Sequence, residues 1–145
     1  MAEIQSQDAR RLLRIIRSAI ANGEMLTYRE AARRLGRVPP ERHARAVAQM
    51  CDLLDAAACL AGVPLLALVA VHEHGGGINP KAWKEYAGPR RDAIINRSQH
   101  HQFSDDEFAA IGSALRDLAD RGNSKAWQYV HGLYPGDLNS QNGGC

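Results

Sequence analysis

Two helical patterns lie so close together over residues 26–61 that they leave this chain few ways to fold. Only residues 36–39, Gly-Arg-Val-Pro, separate them. The first runs Leu26-Thr27-Tyr28-Arg29-Glu30-Ala31-Ala32-Arg33-Arg34-Leu35-Gly36. Thr27 and Glu30 have the spacing of a capping box, in which the hydroxyl takes one helix-terminal N–H and the carboxylate another. Ala31, Ala32 and Leu35 give a helix over 28–35 one apolar side, and Gly36 stands where a helix stops. The second pattern, about 40–61, has the apolar line Ala44, Val47, Cys51, Leu54 and Ala58, and Gly62 and Pro64 end it. Two helices joined this tightly predict a helix-turn-helix. Arg42, Arg45 and Gln49 fall at i, i+3 and i+7 on another face of the second helix. Arg bridges O6 and N7 of guanine and Gln bridges N6 and N7 of adenine, so this face suits base edges in a major groove. A merely solvated helix face carries the same residue types.

A chain of 145 residues, 45% hydrophobic, suffices for one domain with a real core. Its net charge of +2 is small, but the charges come in blocks. Residues 1–50 hold ten Arg or Lys against five acids, and residues 101–145 hold three against six. Solvated helix faces produce such blocks; so does a basic front half that meets phosphate. The bases are mostly Arg, which contacts phosphate or guanine in two-pronged fashion as Lys does not. Three cysteines without a CxxC pair argue against a structural zinc site and a disulfide framework, and Cys51 and Cys59 read as inert core thiols. No apolar run approaches the roughly 18 residues of a membrane span. The first residues lack a signal pattern, so the expected location is cytoplasmic, with no membrane partner.

Taken in order, the chain predicts a first helix over 6–22 with Ser6 as N-cap and Gly23 past its end. Ala9, Leu12, Leu13, Ile16 and Ile20 form its apolar stripe, and Arg10, Arg11, Arg14 and Arg17 its solvated face. After the helix-turn-helix, Pro64–Val71 is a continuous apolar run read as a buried strand, and the glycine-rich residues 72–79 follow as a wing. His72 and His74 would share one face of a strand, and a metal would need a third ligand from His43, His100, His101 or His131. A polar wing tip is the simpler reading, so neither metal nor cofactor is expected. Gly75-Gly76-Gly77 matches no phosphate loop. Lys81, Lys84, Arg90, Arg91 and Arg97 surround Trp83 and Tyr86, a mixture suited to nucleic acid or to packing of Trp83 under the wing. Ser104-Asp105-Asp106-Glu107 is a second capping box, opening a helix to about Asp120 that buries Phe108, Ile111, Leu115 and Leu118. A short helix over 124–133 with Trp127, Val130 and Leu133 follows, then a disordered tail. The expected fold is mostly α with a small β hairpin: a winged helix-turn-helix over 6–80, a basic connector and helical extension over 81–134 packed on it, and the tail at 135–145.

Leu26-Thr27-Tyr28-Arg29-Glu30-Ala31-Ala32, Ala44-Arg45-Ala46-Val47 and Val63-Pro64-Leu65-Leu66 together resemble the DNA-binding domain of the methylated-DNA–protein-cysteine methyltransferases. They also resemble the alkyltransferase-like proteins that share it. The likeness covers roughly residues 10–80. It implies a winged helix that enters the DNA minor groove, with Tyr28 crowding a phosphate and Arg45 replacing a base rotated out of the stack. The family's Pro-Cys-His-Arg tetrad is missing: the corresponding stretch reads Leu68-Val69-Ala70-Val71-His72. Without the cysteine, alkyl transfer is chemically excluded, and the Pro and His-Arg that alkyltransferase-like proteins keep are absent too. The expectation is therefore a non-enzymatic protein that binds double-stranded DNA through Thr27, Tyr28, Arg29, Arg42, Arg45 and Gln49, with His72 and His74 on the wing. The alternative is a protein-interaction or dimerisation module on the same scaffold, docking through the C-terminal helices. A metal-dependent enzyme built on His72 and His74 is a third reading.

Overall fold

The computed structural model describes residues 2–72, 91–118, 125, 126 and 129. These are mostly helical. The element order is α1 (Ala2–Ala21), β1 (Leu26–Thr27), α2 (Tyr28–Arg34), a 3-10 turn (Pro40–Arg42), α3 (Ala44–Leu60), α4 (Ala67–Ala70), β2 (Val71–His72), α5 (Arg91–His100) and α6 (Asp105–Leu118).

α3 is the central helix. Its apolar line does what the spacing predicts at Val47, Cys51, Leu54 and Ala58, all buried. From Leu53 to Cys59 every residue is buried, so this half of the helix is enclosed on all sides. α1 and α6 pack along it, α6 the more extensively. α1 contributes Ala9, Leu12, Leu13, Ile16 and Ala19, and α6 contributes Phe108, Ile111, Ala114, Leu115 and Leu118 to the same core. α1 and α6 are also joined at the surface: Arg17 pairs with Asp105, and its guanidinium lies 5.3 Å from the centre of the Phe108 ring. Ser104 and Glu107 complete their capping box in both directions, Glu107 N–H donating to Ser104 Oγ (3.2 Å) and Ser104 N–H to Glu107 Oε1 (2.9 Å).

Several expectations change. α1 does not begin at Ser6; Ala2, Glu3 and Gln5 are good helix formers and carry the helix four residues further back. The second helix does not run unbroken from residue 40: a 3-10 turn over Pro40–Arg42 comes first, and His43 (φ −110°, ψ 4°) breaks the path before α3. The run 64–71 is not one strand. Val63 to Leu66 is irregular, Ala67–Ala70 makes a helical turn, and only Val71–His72 is extended. The cause is Asp55 on α3, whose buried carboxylate accepts the Leu66 (3.0 Å) and Ala67 (2.8 Å) N–H groups. Those donors are satisfied by a side chain, so they need no sheet partner.

Among the described residues the sheet is a parallel pair, Leu26 opposite Val71 and Thr27 opposite His72. Parallel strands need a crossover, which α2 and α3 supply; the far side of the expected hairpin lies outside the described residues. Of the wing expected at 72–79, all but His72 lies outside the described residues, as do Trp83 and Tyr86, most of the helix expected over 124–133 and the tail expected at 135–145. Cys59 is disulfide-bonded rather than the free core thiol expected of it, its partner lying outside the described residues. Cys51 is free and buried. Burial first, then the neighbouring Asp55 and Asp52, push its thiol well above the usual range, so it carries no thiolate chemistry. No helix among the described residues is long and apolar enough to cross a membrane.

Candidate nucleic-acid interface

Thr27 ends β1 and caps α2. Its backbone is extended (φ −84°, ψ 162°), and its hydroxyl accepts the Glu30 N–H at 3.0 Å. The box is one-sided. The Glu30 carboxylate turns outward to Arg33 (2.5 and 2.8 Å) and Arg34 (3.1 Å). Those bonds, Arg33's first, hold Glu30 at about pKa 2. Tyr28 is half-buried and rests against the core, while Arg29 is exposed.

The structure joins residues that the sequence keeps far apart. Thr27 and His72 sit opposite each other across the strand pair, so the start of α2 lies beside the strand that leads to the 73–79 segment. His74 is outside the described residues, and of His72 only the backbone is among them. Other expected neighbours separate. Arg42 belongs to the 3-10 turn and not to α3, so it no longer shares one continuous helix face with Arg45 and Gln49. Arg45 and Gln49, four apart on α3, still do, and both are exposed.

The six arginines from 29 to 45 divide cleanly by partner. Arg33 pairs with Glu30, Arg34 with Glu30 and Glu24 (2.6 Å), and Arg37 with Asp8. Arg29, Arg42 and Arg45 form no hydrogen bond or ion pair with the described residues, and all three are exposed. Against these three guanidiniums the same segment holds one exposed carboxylate without a partner among the described residues, Glu41. α3 adds to the positive potential, since its first turn has neither a side-chain cap nor an acid to offset the helix dipole.

Asp8 and Arg37 are the participants that the sequence did not reveal. Arg37 donates to Asp8 and places Nη1 3.4 Å from His43 Nδ1. Arg11 reaches Asp8 (3.4 Å) and donates to the Leu35 carbonyl (3.0 Å). The separations of 24 and 29 residues leave no local pattern to find. Among the described residues no group of three His, Cys, Asp or Glu is placed to hold a metal ion. Comparison with protein-family models, with curated proteins and with solved structures finds no match for the chain.

Proposed function

We propose that this protein is a non-enzymatic DNA-binding protein, a winged helix-turn-helix resembling the alkyltransferase-like proteins but without the alkyl-accepting cysteine. Thr27, Tyr28 and Arg29 at the start of α2, Arg42 in the 3-10 turn, and Arg45 and Gln49 on α3 form the contact set. His72 and His74 approach the backbone from the wing side. On this reading, as the resemblance implies, the contact is made in the minor groove. The observation that carries this reading is the division of the arginines: nearby acids pair with Arg33, Arg34 and Arg37, while Arg29, Arg42 and Arg45 are exposed without a partner among the described residues. An unpaired surface guanidinium is available to neutralise phosphate, and phosphate neutralisation supplies most of the affinity of such proteins.

The alternative, docking through the C-terminal helices, has less to draw on. α6 buries Phe108, Ile111, Leu115 and Leu118 in its own chain's core, so that apolar face is not left for a partner.

The test is a low-salt titration of fluorescent duplex DNA with the wild-type protein and with Arg42→Ala/Arg45→Ala. The double variant should bind at least tenfold more weakly. Equal affinity for the two, or no binding by the wild type, refutes the proposal.

A further inference from the structure

The connection between α2 and α3 has no apolar anchor. From Gly36 to Ala46 no residue is buried, whereas Leu35 before it and Val47 after it are 3% and 0% exposed. Apart from Ala46, which packs partly against the core, these eleven residues carry Arg42, Arg45 and the start of α3 across the surface without a core side chain to fix them. A polar clamp takes that place. Asp8, with a side chain only 15% exposed, stands on α1 and pairs with Arg37 in the connection. Arg37 in turn lies against the ring of His43, the residue that precedes α3. Arg11, one turn along α1 from Asp8, holds the Leu35 carbonyl at the end of α2. The α2 end of the connection is thus tied to α1 directly, at Leu35 and Arg37, and the α3 end only through the Arg37–His43 contact. The Nε of Arg37 is buried without a hydrogen-bond partner among the described residues, so the guanidinium is drawn inward despite leaving a donor unmet.

We propose that the Asp8–Arg37 pair is a positioning device for DNA binding, holding the connection so that Arg42 and Arg45 are presented together. Arg37 itself is a positioning residue and touches no phosphate. The inference rests on the DNA-binding reading and goes beyond it in one respect: an acid on the opposite helix becomes necessary for affinity. If charge alone governed binding, removing Asp8 would tighten the complex, because one repelling carboxylate is gone and one guanidinium is freed. The positioning role has the opposite sign.

Duplex-DNA affinity is measured for the wild type, Asp8→Ala, Arg37→Ala and the double variant, each at several salt concentrations, with circular dichroism to confirm that the fold is kept. Asp8→Asn, which retains the shape and removes the charge, is carried in parallel in case Asp8→Ala does not fold. Both single substitutions at residue 8 should weaken binding about fivefold, and the double variant should be no weaker than Arg37→Ala alone. The slope of log affinity against log salt should stay at the wild-type value in Arg37→Ala, since the residue contributes no phosphate contact. Tighter or unchanged binding by folded Asp8→Asn overturns the proposal while leaving DNA binding by Arg42 and Arg45 intact. A shallower slope in Arg37→Ala also overturns it, because Arg37 would then be a phosphate contact. A wild-type protein that binds no DNA defeats both readings.

Discussion

The Asp55 carboxylate holds the Leu66 and Ala67 N–H groups from inside the core, eleven and twelve residues away. Asp55→Ala leaves both donors buried and unmet, at about 1–3 kcal/mol for each. Urea denaturation should accordingly show a loss of about 3 kcal/mol, with the helical signal at α4 too small to follow directly. Asp52, three residues before it, shows the reverse case. It makes no hydrogen bond or ion pair with the described residues, and burial pushes its carboxyl from 3.8 up to about 6. Because the folded state raises this pKa, the protonated form is favoured on folding. The associated stability is full below pH 3.8 and is lost as pH rises through about 6. At neutral pH the ionised Asp52 is therefore a burden. Two units correspond to about 3 kcal/mol, which partial exposure to solvent reduces to about 1 kcal/mol. Asp52→Asn should raise the Tm by about 3 °C at pH 7.5 and by nothing at pH 3.5, as read by thermal denaturation at the two pH values. Glu30 has the opposite sign: its pairs with Arg33 and Arg34 persist above the usual carboxylate range and are lost only as pH falls toward about 2.

At the scale of elements, α6 belongs to the core rather than hanging from it. Ile111 is fully buried between α1 and α3, and Ile111→Ala should cost about 3 kcal/mol in the same denaturation experiment, with α1 and α3 unfolding in the same transition. A separate, earlier transition for the C-terminal part would contradict that account. α1, α2, α3 and α6 were all legible in the sequence because each shows an apolar stripe at helical spacing and a stop or cap: Gly23, Gly36 and Gly62 take positive φ past three of them. α5 was not. Its Ala93 is exposed, its Ile95 half-buried and its Ser98 buried, so no continuous apolar stripe announces it. The 64–71 run misled for a physical reason as well. A short, continuously apolar segment has no periodicity to distinguish strand from helix. The deciding contact came from Asp55, which nothing in that segment's own sequence records. At the candidate interface, the exposure of Arg29, Arg42, Arg45 and Gln49 agrees with their placement off the apolar lines. The break at His43 that removes Arg42 from α3 and the clamp from Asp8 are both tertiary effects.

For the whole molecule the question is where its small excess of positive charge goes. Within residues 1–50 the described acids are largely spent on structure: Asp8 on Arg37 and Arg11, Glu24 on Arg34, and Glu30 on Arg33 and Arg34. The unpaired cations collect on the front of the chain, with Arg10 and Arg14 on α1 joining Arg29, Arg42 and Arg45 as exposed residues without a partner among those described. The acidic block at Asp105–Glu107 sits instead at the start of α6, where Asp105 meets Arg17 and Glu107 meets His101 at 2.8 Å. A net charge of +2 thus conceals a first third of the sequence more basic than the total suggests. The most direct test of that account is the salt dependence of duplex-DNA binding, measured for the wild type and for Arg42→Ala/Arg45→Ala from low to physiological salt. Each lost phosphate contact removes about 0.9 from the slope of log affinity against log salt, so the variant's slope should be shallower by about two. A wild-type slope near zero, or the same slope in both proteins, would contradict the claim that these arginines hold DNA.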